Sequence, residues 1–236
     1  MPTALITGAS RGIGRRAAEV FSSRGWDLLL TARNRDQLQS LAAELRQQDG
    51  HSVEVESIDF TESQTIAPGL ESLTSRGQIP SVLVNNAGAA YTGELLEMPL
   101  DTWLWILQLN LTSVMQVCSA VVPTMRAAGG LVINVSSHAA RNAFPQWGAY
   151  CVTKAALERF TRCLAEEERP NGIRACTLTL GSVDSSLWDE KTVQSDFDRH
   201  AMLSTDQVAN ALVHLAEQPT NQVIEDFTLM PATGAF

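Results

Sequence analysis

At 236 residues with 44% hydrophobic and 18% charged side chains, the chain is long enough for one large or two small domains. No linker, low-complexity tract or internal repeat divides it, so a single domain over residues 1–236 is expected. A formal net charge of -9 argues against nucleic acid or an anionic membrane as the main partner, because both select a basic face.

The opening residues lack the charged and apolar regions of a secretory signal, and no run of about 18 uninterrupted apolar residues marks a membrane span. Cys118, Cys151, Cys163 and Cys176 form no C-x-x-C pair and come with no histidine pattern. Free thiols in a reducing cytoplasm, and no metal site, are the expectation.

In chain order, strands are predicted over residues 4–7, 27–31, 53–57, 82–85, 131–135, 173–179 and 224–230. Several are continuous apolar runs, as in parallel strands covered on both faces. Helices lie between them. Leu38, Leu41, Ala42 and Leu45 keep the i, i+3, i+4, i+7 spacing, as do Val208, Ala211, Leu212 and Leu215. Asn34 with Gln37, Thr61 with Gln64, and Ser204 with Gln207 each resemble an N-cap with its reciprocal partner. The most apolar region, 95–122, is broken by Glu97, Asp101, Gln108, Asn110 and Gln116 and reads as a buried helix. Such alternation implies an α/β domain with a doubly wound parallel sheet, which binds ligands beyond the carboxyl ends of its strands.

The first strand runs into Thr7-Gly8-Ala9-Ser10-Arg11-Gly12-Ile13-Gly14 and then a helix. Glycines permit close backbone approach, and a helix N-terminus offers unpaired N–H groups to a pyrophosphate. The second strand ends in Ala32-Arg33, without the acid that usually accepts hydrogen bonds from a ribose 2′-hydroxyl. Either Arg11 or Arg33 alone is more often a solvated charge. An arginine such as Arg33 suits a 2′-phosphate, and the family that these motifs resemble, the short-chain dehydrogenases/reductases, implies that Arg11 stands against the same phosphate; together they would offer it forked hydrogen bonds, which favours NADP(H) over NAD(H). Further on stand Asn85-Asn86-Ala87-Gly88 closing the fourth strand and Asn134-Val135-Ser136-Ser137 closing the fifth. Tyr150-Cys151-Val152-Thr153-Lys154 follows, placing Tyr150 and Lys154 one helical turn apart. A phenol near pKa 10 is a poor acid–base catalyst at neutral pH, and a neighbouring ammonium favours its ionised form.

These motifs resemble the short-chain dehydrogenase/reductase family, in its single-domain form, over nearly the whole chain. The glycine spacing G-x-x-x-G-x-G, the N-N-A-G run, the serine and Y-x-x-x-K carry the likeness. The resemblance implies a Rossmann-type sheet of about seven strands with helices on both faces. It implies a catalytic set in which Ser137 orients the carbonyl or alcohol and Tyr150 passes the proton. Lys154 would lower the tyrosine pKa and bind the nicotinamide ribose, and Asn110 would anchor a water relay. A buried amide in so apolar a helix needs a partner in any case, so a structural role for Asn110 stays open. The cofactor site would comprise Gly8, Ser10, Arg11, Gly12, Ile13, Gly14, Arg33, Asp59, Phe60, Asn86, Ala87, Gly88, Tyr150, Lys154, Val183 and Ser185. Asp59 matches an adenine contact, although a turn role before Thr61 fits the sequence nearly as well.

The pattern departs from the family at Leu180-Gly181-Ser182-Val183-Asp184-Ser185, where leucine replaces proline and Ser185 replaces threonine. Without the fixed φ of proline, a more mobile loop start is expected. Residues 182–204 form the expected substrate loop, with Trp188, Phe197 and His200 facing Phe144 and Trp147. Packing is the plain reading of each aromatic, and together they point to an apolar or aromatic carbonyl substrate. His138, beside Ser137, reads as a satisfied polar residue. The resemblance also implies a homo-oligomer, tetramer or dimer, using the apolar region 95–122 with Trp103 and Trp105 and the long helix from Ala149. A cofactor sensor without turnover is the competing class, against which the complete Asn110, Ser137, Tyr150 and Lys154 set argues. An epimerase or dehydratase would need a longer chain.

Overall fold

Each central strand sends alternate residues to opposite faces, and helices cover both. In the computed structural model, which describes residues 1–76, 78–194 and 198–234, β1 (Thr3–Thr7) turns Ala4 and Ile6 into one core layer and Leu5 into the other. The next strand, β2 (Asp27–Ala32), divides likewise, Leu28 and Leu30 against Leu29. This two-sided burial is why these strands read as unbroken apolar runs. The remaining strands are β3 (Val53–Ser57), β4 (Val82–Asn85), β5 (Gly130–Ser137), β6 (Ile173–Leu180), the short β7 (Val183–Asp184) and β8 (Leu203–Ser204), and β9 (Asp226–Leu229).

Seven strands form one parallel sheet in the order β3-β2-β1-β4-β5-β6-β9, the doubly wound architecture expected. One face carries α1 (Gly12–Ser23), α2 (Arg35–Asp49) and α7 (Thr205–Ala216), through Phe21, Leu41 and Leu212 among others. The opposite face carries α3 (Ser63–Arg76), α5 (Ser113–Met125) and α6 (Gly148–Glu168), through Leu70, Val121 and Leu157. Strands are added outward in one direction up to β3 and in the other from β4, so the crevice opens at this switch point, beyond the carboxyl ends of β1 and β4.

Two of the three expected caps form. Asn34 accepts from the Gln37 backbone N–H at 3.0 Å, and Ser204 and Gln207 make a complete capping box. The Thr61–Gln64 pair does not. Asp59 takes the Thr61 N–H and hydroxyl in a tight turn, and α3 starts two residues later, at Ser63. Asp59 wins because its carboxylate, two residues back, already fits a turn.

The apolar region resolves into α4 (Leu100–Leu107), a π-helical turn (Gln108–Thr112) and α5. Leu100–Met125 is the one helix among the described residues long and apolar enough to cross a membrane by length and composition. It is a core helix, seated on the sheet by Val114, Val117, Val121 and Met125. It is not buried all round, as its composition led us to expect. Leu100 is 68% exposed and Leu104 52%, beside Leu96 at 98%, so an apolar stripe faces outward.

The β7–β8 pair had no signature in the sequence. It ties the two ends of the 182–204 loop, with Leu203 N–H donating to the Ser182 carbonyl at 3.0 Å. Two-residue strands carry too little periodicity to be read.

Candidate active site

A cleft of about 770 Å³ lies along the carboxyl ends of β1, β2, β4, β5 and β6, roofed by residues 182–192. The glycine turn forms its floor. Gly8 sits at φ +67°, and a Cβ there would meet the Ala87 Cα at 2.9 Å. Thr7 Oγ1 accepts from the N–H groups of Asn86 and Ala87, both at 3.0 Å, and the Asn86 amide donates to the Thr7 carbonyl at 3.0 Å. The β1 and β4 ends are thereby fastened together. Ser10, Arg11, Gly12 and Ile13 line the cleft beside Gly8. Gly14, expected among the cofactor residues, lies behind the turn. A Cβ on it would meet the Gly8 carbonyl oxygen at 2.2 Å, so its smallness serves helix-to-turn packing instead.

The two arginines have different surroundings. Arg33 is exposed at the cleft edge after β2. Arg11 reaches across to an ion pair with Glu190 of the roof, a partner invisible in the sequence because 179 positions do not signal contact. Asp59 and Phe60 both line the cleft; Asp59 is engaged in its turn and Phe60 is buried. Asn86, Ala87 and Gly88 complete this wall.

Ser137, at the end of β5, and Tyr150 and Lys154, on α6, converge where β5 meets the cleft. A relay of amides holds that helix in place. Asn85 Nδ2 donates to Asn134 Oδ1 at 2.8 Å, and Asn134 Nδ2 donates to Thr161 Oγ1 at 2.8 Å. Neither Asn134 nor Thr161 was singled out from sequence; inward polar residues on a central strand and on α6 were the available signal.

Burial pushes the Tyr150 phenol up to about 12, and its hydrogen bond with Ser137 pulls the other way. Burial pushes the Lys154 ammonium down to about 8. The expected lowering of the phenol by Lys154 is not seen: Ser137, not Lys154, is what opposes burial. Lys154 Nζ stands 5.7 Å from the centre of the Tyr150 ring, over its face rather than at its oxygen, and donates to the Val135 carbonyl at 2.9 Å. Desolvation dominates both groups.

Asn110 lies in the π-helical turn, a distortion frequent at functional sites. Its Oδ1 accepts from the Ala89 N–H at 2.9 Å, and its Nδ2 donates to the Ala89 carbonyl at 2.9 Å and to Thr153 Oγ1 at 3.1 Å. Both amide hydrogens are thus used in pinning the loop after β4 to α6.

Other expectations are corrected on the roof. Leu180 is the last residue of β6, paired in register with Ser137 and Leu229, so the loop begins from a held strand rather than a mobile one. Val183 lines the cleft, and its carbonyl accepts the Trp188 indole N–H at 2.7 Å. Ser185 lines the cleft but its Oγ caps a short 3₁₀ turn by accepting from Leu187 N–H. Trp188, Trp147 and Phe144 are brought together in the cleft, whereas His200 is exposed and away from it. Phe197 lies outside the described residues. His138 lines the cleft, and it is only half satisfied, contrary to expectation: its Nε2 is 2.7 Å from the Asn142 amide nitrogen, but its Nδ1 is buried without a hydrogen-bond partner among the described residues.

A doubly wound sheet with a glycine turn and a Ser–Tyr–Lys group at the strand ends defines a nucleotide-binding oxidoreductase. The chain belongs to the short chain dehydrogenase family, whose sequence profile matches residues 2–196. It is 29% identical to serine 3-dehydrogenase of Rhizobium radiobacter over 99% of this chain and 95% of that one. An uncharacterized oxidoreductase of Staphylococcus saprophyticus is 31% identical over 97% and 95% of the two chains. Among solved structures, the alcohol dehydrogenase of Thermococcus sibiricus, complexed with 5-hydroxy-NADP, superposes with a TM-score of 0.90 at 28% identity, covering 98% and 97%. L-sorbose reductase of Gluconobacter frateurii, complexed with NADPH and L-sorbose, gives a TM-score of 0.89 at 29% identity, covering 98% and 95%.

Proposed function

We propose that the chain is an NADP(H)-dependent oxidoreductase that interconverts a carbonyl and an alcohol, with residues 1–236 acting as one domain and 182–204 as its substrate loop. The observation that carries the reading is the convergence of Ser137, Tyr150 and Lys154 in one cleft with the glycine turn. The cleft residues fit a dinucleotide: a Cβ at Gly8 would fill backbone space at the turn, and two guanidiniums border the same end. Bound there, the cofactor supplies the hydride.

The chain's own residues supply geometry and a proton. Ser137 donates to the substrate oxygen and steadies charge that develops on it. Tyr150, held up to about 12, keeps its proton through the neutral range and gives it to that oxygen. Lys154, pushed down to about 8, remains a cation at neutral pH and favours the tyrosinate left behind. Asn110 is a positioning residue, fixing Ala89 against Thr153. Arg33 and Arg11 select the 2′-phosphate, Arg11 exchanging or sharing Glu190 to do so. NADP complexes of the T. sibiricus and G. frateurii relatives support this preference. The four free cysteines, two of them buried, suit a reducing cytoplasm. The test is loss of nicotinamide absorbance when purified protein meets NADPH and a panel of ketones and aldehydes. Tight NADPH binding with no turnover on any of them would favour a sensor instead.

A homo-oligomer, tetramer or dimer, belongs to the same reading. Leu96, in the turn before α4, and Leu100, Leu104 and Met115 on the α4–α5 helix expose apolar surface, unusual for a monomer. Light scattering at micromolar concentration is expected to give two or four times the chain mass; a particle of monomer mass would contradict it.

A further inference from the structure

We infer that the substrate half of the cleft takes an uncharged aryl ketone or aldehyde, or the matching alcohol, and rejects carboxylate-bearing substrates. This rests on the carbonyl–alcohol reading above and names the class of substrate within it.

Trp147 packs edge-on to Tyr150 at 5.7 Å between ring centres and 71° between planes, and to Trp188 at 5.8 Å and 62°. Phe144 extends the surface, 6.3 Å from the His138 ring. An aromatic wall therefore begins at the proton-donating phenol and continues onto the roof. Trp188 donates its indole N–H to the Val183 carbonyl and lines the cleft. Edge-to-face contact with such a wall favours a flat ring over a saturated one of similar size.

Charge decides the rest. The cationic side chains lining the cleft, among the described residues, are Arg11, Arg33 and Lys154. Arg11 is paired with Glu190, and Arg33 sits past β2 at the opposite end from Tyr150. Lys154 is buried, bonded to the Val135 carbonyl and assigned to the phenol. Arg199, elsewhere in the loop, is held by Asp184 and Asp189. The His138 ring, the other basic group on the cleft wall, has its Nε2 2.7 Å from the Asn142 amide nitrogen. A substrate carboxylate would lose its water beside the aromatic wall and, among the described residues that line the cleft, find no uncommitted cation. The relatives named as serine 3-dehydrogenases act on a carboxylate-bearing alcohol, so this chain is expected to differ from them in substrate.

The test uses the purified full chain with NADPH and four probes: acetophenone, cyclohexyl methyl ketone, benzoylacetate and, with NADP+, L-serine. Acetophenone should exceed cyclohexyl methyl ketone about tenfold in kcat/KM and benzoylacetate by about 30-fold or more, with serine unoxidised. In Trp188→Leu the preference for acetophenone over the cyclohexyl ketone should fall about tenfold, and NADPH affinity reports that the variant is folded. Should Trp188→Leu not fold, Trp147→Leu makes the same comparison. Benzoylacetate or serine turned over as well as acetophenone would overturn the inference and leave carbonyl reduction standing, as would an unchanged aryl preference in both variants. If none of the ketones is reduced while NADPH binds, the underlying reading fails with it.

Discussion

Replacing Tyr150 by phenylalanine is expected to lower kcat by about 100- to 10,000-fold, the usual contribution of a positioned general acid. The ring keeps its contact with Trp147, and only the hydroxyl is lost. Cofactor affinity should move little, since Arg11, Arg33 and Lys154 all remain. Lys154→Met provides the contrast. It removes a cation beside the phenol and a donor to the Val135 carbonyl, so both kcat and NADPH binding should suffer. Stopped-flow absorbance under single-turnover conditions separates the two. A Tyr150→Phe enzyme with most of its hydride-transfer rate intact would remove the phenol from the mechanism.

Arg33→Ala is expected to weaken NADPH binding by about 10- to 150-fold, the loss of one charge-assisted hydrogen-bonding partner worth roughly 1.5–3 kcal/mol, and to leave NADH binding nearly unchanged. Only NADPH carries the 2′-phosphate. Arg33 should matter more than Arg11, because Arg11 already has Glu190 as a counter-charge and gains less by exchanging it. Titration of both cofactors by fluorescence checks the prediction. Equal losses for NADPH and NADH would make Arg33 structural.

Most of the sheet was legible because its signals are local. Alternate burial on two covered faces made β1, β2 and β4 largely continuous apolar runs, and the glycine turn announced the first crossover. The residues that meet in the cleft were also marked in sequence, Ser137 by its strand end and Tyr150 and Lys154 by their helical spacing. What escaped depends on partners distant in the chain. Glu190 opposite Arg11, Trp188 on the Val183 carbonyl, and the Asn85–Asn134–Thr161 relay have no local pattern. The effect of Leu180 was misjudged for a related reason. Its identity described the freedom of one residue, whereas pairing to both neighbouring strands fixes that position. The phenol was misjudged too: helical spacing brings Lys154 near, but burial, which spacing does not report, sets the direction of both shifts.

The most direct test of the central claim is isotopic. Purified protein, NADPH carrying deuterium at the nicotinamide C4 positions, and acetophenone are incubated together, and the alcohol formed is analysed by mass spectrometry. Hydride transfer predicts one deuterium at the carbinol carbon, a single enantiomer, and oxidised cofactor in equal amount. Alcohol formed without deuterium at that carbon, or no cofactor oxidation across the whole carbonyl panel, would contradict the account.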